Sequence, residues 1–208
     1  MPPLPPLLPR RLGALAAAVL VPLALAACYL PSDFRGQVRL ASDGRYWMEY
    51  EGQLVWMPFY RQLRLGQTGG REAQESINNI HADLRRDPDF RTIEYLEDGI
   101  FRVDYAAEGR LKAPGMATFV RRNSRMLSLK VDEAGVATLE GAQANADRVQ
   151  RVQDLGLDVS GTFSFVTTAP VIEHNADRVS TNEEGVTVMV WEIDGITDTA
   201  PEARVRLR

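Results

Sequence analysis

The chain has 208 residues, 24 basic against 28 acidic side chains, a formal net charge of −4 and a single cysteine. An acidic balance of this kind excludes a nucleic-acid-binding surface of the usual basic sort and general adhesion to anionic headgroups. One cysteine cannot supply a disulfide framework or a paired-thiolate zinc site.

In chain order, the first element is apolar. Residues 1–11 read MPPLPPLLPRR, with Arg10 and Arg11 as the sole charges before residue 33, and an apolar stretch follows over residues 12–24. About 20 apolar residues are needed to span a bilayer. A basic start, a short apolar core and a small-residue exit instead mark a secretory signal. The exit reads Leu25-Ala26-Ala27-Cys28. This resembles the lipobox of bacterial lipoproteins. The resemblance implies cleavage between Ala27 and Cys28, a diacylglyceryl group on the Cys28 sulfur, and acylation of the new amine, for instance by palmitate. Two or three chains anchor a protein stably where one does not. Arg10-Arg11 also admits a twin-arginine export signal, although the polar residue before the pair and the bulky apolar pattern after it are absent. The domain scheme expected is therefore a removed signal over 1–27, a lipidated Cys28 with a short tether over 28–34, and one globular domain over 35–208. Six extended residues, 29–34, reach about 20 Å, so the domain is expected to ride close to the bilayer. Removing the signal leaves 22 basic against 28 acidic side chains.

Residues 37–41 alternate, Ser42-Asp43-Gly44 signals a turn, and residues 45–57 alternate again. Tyr46, Met48, Tyr50, Leu54 and Trp56 share one face; Arg45, Trp47, Glu49, Glu51 and Gln53 share the other. That is a half-buried antiparallel hairpin, with Gly52 at a bulge. Residues 71–86 carry Ala73, Ile77, Ile80 and Leu84 at helical spacing, stopped by Asp87-Pro88. Residues 90–96 and 100–111 flank the Asp98-Gly99 turn as a second hairpin, and 126–131 with 136–140 form a third. A second helix is expected over 142–155, ending at Gly156. Residues 157–168 alternate as a strand, residues 186–193 are apolar on both faces like a central strand, and 204–208 close the chain as an edge strand. The fold class expected is α+β, an antiparallel sheet of hairpins with two helices packed on one side.

Catalytic templates are absent: the sequence holds no G-x-S-x-G elbow, no phosphate loop and no H-E-x-x-H. Of two histidines, His81 sits on the first helix beside Ile77 and Leu84, and His174 lies in Glu173-His174-Asn175-Ala176-Asp177. Neither a cofactor nor a metal site is expected. Tyr46, Trp47, Tyr50, Trp56, Phe59 and Tyr60 place six aromatics within 15 residues. Trp47 falls on the polar face, and the run 56–60 is apolar at every position, too many for one strand to bury. Trp47, Trp56, Phe59 and Tyr60 are therefore the candidate surface for a partner or ligand.

The stretches "GTFSFVTTAPVIEHNADR", "VTVMVWEID" and "RVRLR" are similar to uncharacterised bacterial lipoprotein domains of the LppM-like kind. The resemblance implies a strand leading into an Asn-containing loop, a Trp-bearing strand and a terminal strand. It brings no catalytic residues. Asn175 fits a turn position, since Asn tolerates left-handed backbone. Three functions follow in order of expectation. The first is an envelope lipoprotein, anchored to the membrane through its lipid, that binds another envelope protein or helps assemble a complex. In a two-membrane host, Tyr29 after the cysteine directs it to the outer membrane, facing the periplasm. The second is a carrier or sensor of a small apolar or lipid ligand, with the Tyr46-to-Trp56 face lining a cavity. The third is a hydrolase using Glu173, His174 or Asp177. The oligomeric state is not specified by these features.

Overall fold

The structure is a computed structural model that describes residues 29–119 and 125–208. The signal segment, Ala27 and Cys28 lie outside the described residues.

Twelve described strands are arranged in two sheets. In chain order they are β1 (Tyr29–Leu40), β2 (Arg45–Trp56), β3 (Phe90–Tyr95), β4 (Ile100–Arg110), β5 (Gly115–Phe119), β6 (Leu127–Val131), β7 (Val136–Gly141), β8 (Gly161–Thr167), β9 (Val171–His174), β10 (Arg178–Thr181), β11 (Thr187–Ile193) and β12 (Glu202–Arg206). Helices α1 (Met57–Arg64) and α2 (Gly70–Leu84) lie between β2 and β3, and α3 (Ala146–Asp154) lies between β7 and β8. The larger sheet runs β10-β11-β8-β1-β2-β4-β3 and the smaller β5-β6-β7-β12-β9. Among the described strands β1 and β8 pair in parallel, Gly36 opposite Phe163; the other neighbours are antiparallel.

Period-two alternation turns one face of each sheet toward the other. Val38, Met48, Tyr50, Phe101, Val103 and Phe165 of the larger sheet share one core with Phe119, Leu129, Leu139 and Val205 of the smaller. Phe119 joins the layers directly: its ring stacks on Tyr50 at 4.7 Å between centroids and meets Tyr105 edge-on at 4.8 Å. A second core lies behind the larger sheet. Leu30, Val55 and Ile100 alternate with Tyr29, Leu54 and Phe101 and so face the opposite way, where they pack with Tyr60, Val152 and Ile196.

The α+β class with hairpin-connected strands agrees with the alternation, but the arrangement differs from the expected one. There are two sheets and three described helices, and the helices are not on one side. Ile80 and Leu84 of α2 belong to the main core, whereas Val152 of α3 belongs to the core behind. The unexpected helix, α1, accounts for the apolar run at 56–60. Pro58 in its first turn supplies a preset φ where no donor is needed, and a helix can divide its apolar side chains between two cores where a strand cannot. Helix α3 ends as expected: Gly156 adopts φ +68°, Leu157 N donates to Val152 O, and Gly156 N donates to Gln153 O, a Schellman motif.

Residues 29–34 are not a tether. Tyr29 pairs with Trp56 and Leu30 with Val55 in the β1·β2 ladder, and both are buried. Their side chains serve the two cores on opposite faces of the sheet. The strand over 202–206 is likewise not an edge; β12 lies between β7 and β9. Its arginines still point outward, Arg204 to Glu173 at 2.7 Å and Arg206 to the Ala134 carbonyl at 3.0 Å.

Candidate functional site

Small residues at layer-facing positions leave space that a sandwich normally fills. Phe34, Gly36 and Val38 alternate on the inner face of β1, and Gly36 presents no side chain there. The Phe163 ring covers it; a Cβ at Gly36 would stand 3.0 Å from Phe163 Cδ2. On the facing layer the chain leaves β7 through Gly141, Ala142 and Ala144 and returns through Gly195 and Ala200, again with little side-chain volume. Between these surfaces is a cavity of about 130 Å³.

The interior of the cavity is apolar. Val38, Met48, Phe119 and Phe163 line it and are all buried. Tyr50, also in the lining, turns its hydroxyl away to donate to the Gln53 carbonyl at 2.8 Å. Burial pushes the Tyr50 hydroxyl well above its ordinary value, with Asp33 adding to the effect. Tyr50 is therefore neutral at physiological pH. The polar groups stand at the rim, where Ala142, Gln143, Asp198 and Thr199 are exposed. Rim and sheets are tied together. Gln143 Nε2 donates to the Asp198 carbonyl at 3.2 Å, and its Oε1 accepts from Ala200 N at 2.9 Å. Asp198 Oδ2 accepts from Asp194 N and Gly195 N at 2.8 and 2.9 Å. Arg148, another lining residue, donates to the Tyr29 carbonyl at 3.2 Å. An apolar interior with a hydrogen-bonded polar rim is the usual form of a site for a small apolar body that carries a polar end.

The cavity is not at the aromatic set singled out from the sequence. Trp47 is 38% exposed on the outer face of the larger sheet, with the Arg45 guanidinium 6.0 Å from its ring centroid. Trp56 is half-buried against Tyr29, ring centroids 4.6 Å apart. Phe59 and Tyr60 are buried, Phe59 in the main core and Tyr60 in the core behind. They therefore present no surface, because α1 turns them inward. Trp47 pairs with Arg39 and Trp56 with Tyr29; nine residues of strand β2 separate the two positions, about 30 Å. Of the face expected to line a cavity, Met48 and Tyr50 do so. The signals that sequence reasoning missed were the small residues, Gly36 at an inward position and the Gly and Ala residues that follow β7 and β11.

The polar side chains at 173–177 are each bound to a separate partner. Glu173 is held by Arg204, His174 Nδ1 accepts from Ala176 N at 3.1 Å, and Asp177 Oδ2 accepts from Glu192 N at 2.9 Å. His81 lies in α2, partly buried. Among the described residues no three His, Cys, Asp or Glu side chains are grouped to hold a metal ion, and no helix is long and apolar enough to cross a membrane.

No family model matches the chain, and no curated protein matches it. Among solved structures it is similar to the NMR structure of the Mycobacterium tuberculosis LppM protein folded domain, with 16% sequence identity and a TM-score of 0.42, over 88% of this chain and 91% of that chain.

Proposed function

We propose that the chain is an exported envelope lipoprotein, anchored through Cys28, whose sandwich binds a small apolar molecule or the apolar portion of an amphiphile between its two sheets. The cavity carries this reading. Its interior is lined by buried apolar side chains and it has a polar rim at one side; apolar spaces of about this size accept small apolar guests. The lipobox-like Leu25-Ala26-Ala27-Cys28 supports the anchor, and a lipid-bearing Cys28 brings the site close to a membrane. Leu30, which faces the core behind the larger sheet, also borders the cavity, and it stands two residues after Cys28 in the chain.

The test is titration with benzene, a guest that a space of this size accepts, followed by the methyl resonances of the lining residues. The wild-type protein is expected to bind saturably. Ala144→Trp, placed at the half-buried mouth, is expected to weaken binding at least tenfold while leaving the fold intact. Failure of the wild type to bind, or equal binding by the variant, overturns the reading.

A second reading rests on Trp47. An exposed indole on an otherwise polar sheet face suits a protein partner, as in an assembly module of the envelope. Loss of a crosslinked partner on Trp47→Ala, with benzene binding unchanged, would favour it.

A further inference from the structure

The end of the larger sheet at which Cys28 emerges is closed by α1. Tyr29 follows Cys28 directly and pairs with Trp56, and α1 begins at Met57. Successive Cα atoms are about 3.8 Å apart, so Cys28, the residue that the lipobox resemblance marks for acylation, directly adjoins Tyr29 in the chain. Helix α1 straddles that end, with Phe59 in one core and Tyr60 in the other. Its remaining surface is unlike the rest of this acidic protein. Residues 57–71 contain Arg61, Arg64 and Arg71 and no acid. Arg71 is engaged by Glu75 at 3.6 Å. Arg61 and Arg64 are exposed and form no ion pair among the described residues. Leu65, next in the chain, is 55% exposed, more than any other described large apolar side chain. Glu97 and Asp98 belong to the β3–β4 turn, whose Gly99 packs against Phe59 and Tyr60 in the first half of α1, and no ion pair joins them to Arg61 or Arg64 among the described residues.

We propose that the C-terminal turn of α1, with Arg61, Arg64 and Leu65, is a foot that rests on an anionic phospholipid surface beside the anchor. The charges complement the headgroups, and Leu65 enters the interfacial layer as apolar side chains of surface helices do. The helix is about 12 Å long, so both guanidinium groups stay near a surface reached by Cys28. Each basic residue near an anionic leaflet is worth about a fivefold gain in partitioning. The lipid on Cys28 holds the protein at the membrane; the foot fixes which way the body faces. This rests on the anchored-lipoprotein reading, and the experiment separates the two.

The full lipidated protein is reconstituted into vesicles of phosphatidylcholine, with or without one quarter phosphatidylglycerol and with spin-labelled lipid as quencher. Bimane is attached at Leu65→Cys and, separately, at Val179→Cys on β10. The label at position 65 is expected to lose at least half its fluorescence in anionic vesicles, and the label at 179 to be unaffected. Arg61→Glu with Arg64→Glu, both at exposed positions, is expected to return the signal at 65 to that in neutral vesicles, with an unchanged circular dichroism spectrum. Flotation with vesicles reads the anchor separately. Flotation without quenching at 65, or quenching that ignores the two reversals, overturns the foot. Quenching in anionic vesicles without flotation leaves the foot and removes the anchor. Loss of both removes both.

Discussion

The indole Nε1–H of Trp191 donates to Oδ1 of Asn175 at 2.8 Å. Trp191 is a buried residue of β11 in the larger sheet, and the same Asn175 oxygen accepts from Glu202 N of β12 in the smaller sheet at 2.8 Å. The Asn175 amide nitrogen completes the link by donating to the Ala200 carbonyl at 2.8 Å. One side chain thus joins the sheets where the chain crosses from β9 to β10. This replaces the turn role expected of Asn175: it does not adopt positive φ, which among the described non-glycine residues is found at Asp33 and Asp98.

Asn175→Ala removes all three bonds and leaves the indole donor buried without a partner. A loss of about 2 kcal/mol is expected, read by urea denaturation. Asn175→Asp keeps both acceptor bonds and loses the donor to Ala200, so a smaller loss is expected.

Phe34 sits between two glycines. The β1·β2 register shifts between Ser32 and Arg35, leaving Asp33 and Phe34 opposite Gly52. A Cβ at Gly52 would stand 2.6 Å from Phe34 Cα, and one at Gly161 would stand 2.5 Å from the Phe34 carbonyl oxygen. Backbone atoms on both sides cannot yield as a flexible side chain would. Gly52→Ala and Gly161→Ala are each expected to destabilise by about 3 kcal/mol, measured by thermal unfolding. Gly66→Ala, with nothing within 4 Å, serves as the comparison and is expected to cost only its left-handed backbone strain, about 1 kcal/mol.

Local pattern and long-range pairing were unequally legible in the sequence. Alternation from Tyr46 to Trp56 identified the strand and its inward face, and Gly52 was read correctly as bulge-associated, with the bulge itself on β1. Helical spacing in 71–86 and Gly156 as a terminator were equally readable, because these depend on residues close in the chain. The parallel pairing of β1 with β8 joins residues 127 apart, and no local feature encodes it. Nor does alternation reveal a strand's neighbours: residues 204–208 read as an edge strand, yet Val205 is buried and β12 lies between β7 and β9. Tyr29 to Phe34 looked like linker because Pro31 and Asp33 break the pattern, whereas the ladder to Trp56 carries the strand through them. The cavity was hardest to foresee. Its signal is missing side-chain volume at Gly36, Gly141 and Gly195, and missing volume is visible only once the layers are placed.

Lys130 and Glu140 are diagonal neighbours across β6 and β7. The hydrogen bond from Lys130, together with its charge, holds the Glu140 carboxyl below its ordinary value of 4.5. A carboxyl lowered on folding adds stability above its unfolded value and loses it as pH falls through the folded one. Lys130→Met is expected to cost less than about 1 kcal/mol at neutral pH, since the pair is half exposed. The difference from wild type should vanish as pH drops through the acid range below 4.5, followed by urea denaturation at stepped pH.

Cys28→Ser removes the sulfur that the lipobox resemblance marks for acylation. The expected result is uncleaved precursor that takes up no labelled palmitate, seen by gel shift and radiography. Palmitate incorporation in the variant would place the lipid elsewhere.

The claim that the space between the sheets is a binding site is tested most directly by methyl NMR during titration with a medium-chain fatty acid. Saturable shifts are expected at Met48, Leu127 and Ile193, which line the cavity, while Ile172 and Val179 on the outer edges stay still. No shift at the lining methyls, or shifts confined to Ile172 and Val179, would contradict it.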